Sequence, residues 1–148
     1  MVEKATIEDI QKLVTFKMEM FQESGHSDFL ADNSYSLIYN TYKDLYLSGN
    51  AQHFVIKKNL EIVACAGGFI KSDIPYCFMK VPYYGFIGDV YTEPSERNQG
   101  FAMLLTKAVM NWLKEKEVKE IHLLASSQAR SLYENLGFHA TDEMILSI

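Results

Sequence analysis

Glu93-Pro94-Ser95-Glu96-Arg97-Asn98-Gln99-Gly100-Phe101-Ala102 joins an extended apolar run to an amphipathic helix and puts a glycine at the joint. Upstream, Tyr84-Gly85-Phe86-Ile87-Gly88-Asp89-Val90-Tyr91-Thr92 is rich in β-branched and aromatic residues over strand length, and Glu93-Pro94-Ser95 ends it. Downstream, Phe101, Leu104, Leu105, Ala108, Val109, Trp112 and Leu113 recur at three- and four-residue steps, one apolar stripe on a helix of about four turns. Two starts suit that helix. With Ser95 as cap, Gly100 falls in the interior, roughly 1 kcal/mol worse than alanine. With a start near Gln99, Arg97 to Ala102 become a loop and first turn whose free N–H groups an anion can approach closely. The second start gives glycine a purpose. The pattern Arg-x-x-Gly-x-Ala is neither a Walker loop nor the dinucleotide Gly-x-Gly-x-x-Gly, so the phosphate ligand stays open at this point.

A chain of 148 residues with 48% hydrophobic content suits one globular domain, 1–148. Its 14 basic and 19 acidic residues give a net charge of −5, with no basic run longer than Lys57-Lys58, which makes nucleic acid and anionic membrane poor partners. Cys65 and Cys77 have no cysteine or histidine at metal-ligand spacing, so no metal is expected, and Cys65 reads as a buried thiol in an apolar strand. The start Met1-Val2-Glu3-Lys4 has no apolar signal core, and Ile62 to Ile70 is far short of a membrane span. A cytoplasmic protein is expected.

After a short strand at Val2 to Ala5, Thr6 with Asp9 marks a helix start, and Ser34 precedes a second helical pattern stopped by Ser48-Gly49-Asn50. His53 to Lys57 and Glu61 to Ile70 read as a hairpin through Lys58-Asn59-Leu60. Lys71 to Pro82 reads as a loop, and Ile121 to Ala125 as a short strand whose apolar character suits a central, buried position. Gln128 to Leu136 forms a last helix ended by Gly137, and Phe138 and Met144 to Leu146 close the sheet as two short strands. The order is β-α-α-β-β-β-α-β-α-β-β, an α/β (α+β) mixed sheet with helices on both faces. Its unit from Tyr84 to Ala125 is expected to be parallel, with a right-handed crossover.

With Arg97-x-x-Gly100-x-Ala102 after one strand and Ala129-Arg130-Ser131-Leu132-Tyr133-Glu134-Asn135-Leu136-Gly137-Phe138 after the next, the chain resembles the GNAT superfamily of N-acetyltransferases. The first motif is similar to the family's coenzyme A pyrophosphate loop and the second to its Ala-x-x-x-Tyr-Glu-x-x-Gly-Phe segment. The resemblance implies a GNAT-like fold and acetyl-CoA as co-substrate. It implies that the pantetheine arm runs along Val90, Tyr91 and Thr92, and that the pyrophosphate rests on Arg97, Asn98, Gln99, Gly100, Phe101 and Ala102. In the family a bulge in this strand parts it from the next parallel strand, and Gly88 suits a bent strand. Ser126 stands where many relatives carry asparagine, so its contact to the coenzyme is shorter or absent.

For the transfer itself, the attacking amine must be neutral and the leaving thiolate must receive a proton. At pH 7, a primary amine of pKa about 10.4 reaches its neutral form at a cost of roughly 4.6 kcal/mol. By position in the family, Tyr133 is the candidate acid, although packing with Leu132, Leu136 and Phe138 would equally account for a tyrosine there. Asp89, Glu93 and a water relay are the candidates for the base, and a bulge would decide which face each carboxylate takes. Glu19, Glu23, Asp28 and Asp32 fall in the region that shapes the family's acceptor pocket, where they would suit a cationic amine or simply solvate a surface. The expected reaction is acetyl transfer to an amine of a small molecule or peptide. The alternative is a non-catalytic acyl-CoA-binding sensor or interaction module. Dimers are common in the family, which leaves a homodimer open.

Overall fold

The computed structural model describes residues 1–74 and 81–148; Pro75 and Cys77, within the expected loop, lie outside the described residues. Strand β1 (Val2–Lys4) leads through Thr6, whose N–H donates to the Asp9 carboxylate at 2.7 Å, into a single 3₁₀ turn and then α1 (Ile10–Glu23). That reciprocal cap satisfies a donor that the helix start would leave bare. α2 (Ser34–Leu47) follows, then the hairpin β2 (Ala51–Lys58) and β3 (Glu61–Ser72). Asn59 and Leu60 both take positive φ, +50° and +69°, the two-residue turn whose twist matches a hairpin. β4 (Tyr83–Thr92), a 3₁₀ turn at Pro94–Glu96, α3 (Phe101–Glu115), β5 (Ile121–Leu123) and α4 (Arg130–Asn135) complete the elements.

The five strands lie in the order β1-β2-β3-β4-β5, antiparallel except for the parallel β4–β5 pair. This mixed sheet separates two apolar layers. On one face Ile10, Leu13, Val14 and Phe16 of α1 pack with Tyr42 of α2 against Val55, Ile62, Cys65 and Tyr91. On the other, Leu105, Val109, Trp112 and Leu113 of α3 pack on Phe54, Ile56, Ala64, Ala66 and Ile87. Helix periodicity at 3.6 and strand periodicity at 2 thus meet on both sides of one sheet.

Two expectations differ at the carboxyl end. Phe138 and Met144 to Leu146 form no strand, and β5 is not a central strand but the edge of the sheet, with its residues half-buried. The second follows from the first, since nothing pairs with the outer edge of β5 among the described residues. The expected loop from Lys71 begins later, because β3 continues to Ser72.

Candidate active site

The sheet opens between β4 and β5. Their pairing covers only Gly85 to Ile87 against Ile121 to Leu123, and β4 then continues alone to Thr92. On its inner side β4 pairs with β3, where Cys65 faces Tyr91 but Gly67 faces Gly88. Ala66 therefore opposes both Asp89 and Val90, a β-bulge, and Asp89 carries its positive φ of +55°. The Glu93 N–H donates to the Val63 carbonyl of β3 at 2.9 Å. By strand alternation Tyr91 also turns its main chain to β3, while Val90 and Thr92 turn theirs to the open edge.

The bulge also changes which side chains share a face. Ile87 packs under α3, yet Asp89 and Tyr91 point to the α1–α2 side. Asp89 is buried there as a carboxylate with three donors. Lys17 Nζ lies 2.5 Å from Oδ1, and Oδ2 accepts from the Tyr42 hydroxyl and from His53 Nε2, the latter at 2.9 Å. Because an ionised carboxylate only accepts, His53 must carry its proton on Nε2. Its Nδ1 is hydrogen-bonded to the Tyr46 hydroxyl at 3.0 Å, and Tyr46 accepts the His53 main-chain N–H at 3.1 Å. Every polar atom in this chain of contacts has a complementary partner. Gly67 makes room for the ring, since a Cβ there would lie 2.8 Å from His53 Nε2. Burial alone would raise the Asp89 pKa, but the His53 hydrogen bond and the Lys17 charge outweigh it and hold the carboxyl well below its usual range.

Toward solvent the same face carries a second set of ion pairs. Glu93 pairs with Lys12 at 2.9 Å. Tyr91 stacks obliquely on Phe16, ring centroids 4.8 Å apart, and donates its hydroxyl to Glu23 at 2.9 Å. Arg97 binds the other Glu23 oxygen at 2.6 Å and donates through Nε to the Thr92 carbonyl at 3.0 Å. The Arg97 hydrogen bond holds the Glu23 carboxyl below its ordinary range.

Beyond β4 the chain runs into an anion-ready loop. Asn98 and Gly100 both adopt positive φ, +64° and +77°, and α3 begins at Phe101 with no side-chain cap. The first intrahelical bond runs from the Leu104 N–H to the Gly100 carbonyl at 3.2 Å, so Phe101, Ala102 and Met103 present N–H groups with no intrahelical acceptor. Nothing lies within 4 Å of where a Gly100 Cβ would be. Successive amides in such a turn, at the positive end of a four-turn helix dipole, form a concavity for phosphate oxygens. Lys58 braces the loop from β2, bonding Glu96 and, at 3.1 Å, Gln99, and lying over the Phe101 ring at 5.5 Å.

In the segment after β5, the Ser126 hydroxyl accepts the Ala129 N–H at 3.3 Å and so helps set the entry to α4. Tyr133 is buried, its ring edge-on to Phe138 at 6.0 Å. Its hydroxyl makes no hydrogen bond among the described residues, and burial raises its pKa, which keeps the proton on oxygen at neutral pH. The residues expected for the site thus fall into three groups. Val90, Thr92 and Asn98 to Ala102 line the open edge and the helix start. Tyr133 and Ser126 lie on the α4 side. Asp89, Tyr91, Glu93 and the Arg97 guanidinium belong to the α1–α2 face. Lys17, Tyr42 and His53, which complete the surroundings of Asp89, had no motif to mark them; the one signal was a histidine inside the apolar run His53-Phe54-Val55-Ile56.

The fold recurs in known proteins. The chain aligns along its full length with a solved predicted acetyltransferase of Clostridium acetobutylicum in complex with acetyl-CoA, at 25% identity, TM-score 0.88 and 95% of that chain. It aligns equally fully with a GCN5-related N-acetyltransferase of Ralstonia eutropha, at 20% identity, TM-score 0.81 and 97% of that chain, a likeness of fold. Among curated proteins, 59 residues, or 40% of the chain, are 36% identical to the chloroplastic GCN5-related N-acetyltransferase 2 of Arabidopsis thaliana, and the match spans 23% of that relative's length. Residues 12–138 match the acetyltransferase (GNAT) family, and with a bulged, splayed β4 running into a glycine-bearing helix start the chain belongs to that family.

Proposed function

We propose that the protein transfers the acetyl group of acetyl-CoA to a primary amine of a small molecule or a peptide, by direct attack of the amine. The observation that carries this reading is the continuity of the unpaired β4 edge with the uncapped start of α3. A coenzyme with an extended amide-bearing arm and a diphosphate needs both surfaces end to end. The residues fit it: Val90 and Thr92 offer main-chain groups at the edge, and Asn98 to Met103 offer amides to the diphosphate. When bound, acetyl-CoA supplies a thioester, an acetyl group activated toward amines.

The chain's own residues supply orientation and proton management. The Val90 N–H, turned outward by the bulge, suits the carbonyl oxygen, where charge builds up as the amine attacks. Tyr133 gives a proton to the departing sulfur. The amine loses its proton through water to Glu93, which is reachable from solvent and has Lys12 as its ion-pair partner. Asp89, with both oxygens occupied by donors, acts as a positioning residue that fixes the bulge from beneath rather than as the base. Arg97 is committed to Glu23 and Thr92, so its contribution to the diphosphate is its main chain.

A thiol-release assay with acetyl-CoA over a panel of mono-, di- and polyamines, amino sugars and peptides tests the proposal. Release that depends on the amine, with an acetylated product by mass spectrometry, supports it. If acetyl-CoA binds and no acceptor is turned over, the acyl-CoA-binding module becomes the better account.

A further inference from the structure

The peptide unit between Asp89 and Val90 sits in the bulge of β4, where Ala66 opposes both residues and Asp89 takes a φ of +55°. A residue other than glycine keeps that conformation only where its surroundings over-determine it. Here the fixing contacts come from four elements. Lys17 of α1, Tyr42 of α2 and His53 of β2 bond the Asp89 carboxylate. The fourth contact is to the main chain, where Cys65 Sγ of β3 donates to the Asp89 carbonyl oxygen at 3.1 Å.

The thiol is suited to that task. Cys65 is buried in the apolar layer under α1 and α2, and burial together with the nearby Asp89 charge pushes its pKa up, so the sulfur keeps its hydrogen at neutral pH. The direction of the bond has a consequence at the other end of the peptide. In a trans peptide the carbonyl and the N–H point to opposite sides, and no cis bond occurs among the described residues. With the Asp89 carbonyl drawn toward Cys65 on β3, the Val90 N–H turns away from β3, to the edge that β5 leaves open beyond Ile87. A donor on the carbonyl also polarises the peptide and strengthens its N–H as a donor.

We propose that Cys65 is a positioning residue of the reaction: its thiol, with the Asp89 carboxylate anchored beneath, presets the Val90 N–H toward the thioester carbonyl oxygen before the coenzyme arrives. That role rests on acetyl transfer as proposed above, in which this oxygen gains charge as the amine attacks. A preset donor needs no reorganisation at the moment of reaction, so its loss falls on turnover and spares coenzyme affinity. A thiol that only fills the core would leave turnover indifferent to whether its replacement can donate.

The test compares Cys65→Ala with Cys65→Ser, two side chains of similar size of which only serine can donate. With an acceptor that the unmodified protein acetylates, Cys65→Ala should lower kcat about tenfold, while the KM for acetyl-CoA and the dissociation constant of coenzyme A, which has no thioester carbonyl, stay within about twofold. Cys65→Ser should recover most of the lost turnover. Equal kcat in the two variants overturns the proposal, and so does a parallel loss of coenzyme A binding in Cys65→Ala, the mark of a disturbed fold. Absence of turnover in the unmodified protein would instead count against the transfer reading itself. Amide relaxation by NMR on the unmodified protein then decides, with or without turnover. The Val90 amide should be as rigid as the ladder amides of β3, both alone and with coenzyme A. A Val90 amide that is mobile until coenzyme A binds overturns the proposal, even if neither variant folds.

Discussion

His53 Nε2 donates to Asp89 across 2.9 Å, joining the second strand of the sheet to the bulge in the fourth through two side chains that are both buried. The Lys17 ammonium on the other carboxylate oxygen completes a hydrogen-bonded ionic unit in an apolar layer. Such a unit contributes little net stability when intact, because desolvation offsets the attraction, but breaking it strands a charge.

Asp89→Asn is therefore expected to cost about 3–5 kcal/mol of unfolding free energy, measured by urea denaturation at pH 7. The same group sets an acid limit. A carboxyl whose folded pKa lies below its unfolded value of 3.8 contributes stability that is fully present above that value and is lost as pH falls toward the folded value. The protein should accordingly lose stability progressively below about pH 4. The Asp89→Asn variant should show a shallower slope there, and equal slopes would remove Asp89 from the acid response.

Gly100→Ala separates backbone strain from packing, since a Cβ at this position meets nothing within 4 Å. An alanine held at the observed φ of +77° costs about 1–2 kcal/mol, so a modest fall in melting temperature is expected. If the amides around it hold the diphosphate, the dissociation constant for coenzyme A should rise about tenfold, the equivalent of about 1.4 kcal/mol, by calorimetric titration. A variant that loses stability but binds coenzyme A unchanged would place the diphosphate elsewhere.

Tyr133→Phe keeps the ring against Phe138 and removes only the hydroxyl. Turnover with a true acceptor should fall by roughly 10²-fold or more, with little change in coenzyme binding. Unchanged turnover would leave Tyr133 as a packing residue.

Thr106 of α3 is fully buried, and its hydroxyl finds no hydrogen-bond partner among the described residues. Thr106→Val replaces that hydroxyl with a methyl of similar size. It should raise stability by about 1 kcal/mol, which is a melting-temperature gain of about 2–4 °C for a chain of this length. A loss of stability would mean that the hydroxyl is satisfied by water.

How far the sequence carried can be judged from individual residues. The two helix starts before the hairpin, the Asn59-Leu60 turn, the glycine at the start of α3 and the α3 stripe apart from the exposed Leu104 follow local rules and lie where those rules put them. The bulge depended on register against β3, which no local pattern encodes, and Gly88 was only a hint of it. The partners of Asp89 are 36, 47 and 72 residues away in the chain, so a carboxylate that resembled a base in sequence proved to be enclosed by donors. Arg97 illustrates the same limit, for no local pattern shows that its guanidinium lies beside Glu23, 74 residues earlier. At the carboxyl end, Met144 to Leu146 has strand composition without a strand, since propensity alone does not pair a strand.

The central claim is that the open edge of β4 and the start of α3 together hold acetyl-CoA. A crystal structure of the protein with acetyl-CoA tests it most directly. The account predicts the thioester carbonyl within hydrogen-bonding distance of the Val90 N–H and the diphosphate on the amides between Arg97 and Met103. A coenzyme whose diphosphate lies away from that loop, or whose thioester lies outside the gap between β4 and β5, would contradict it.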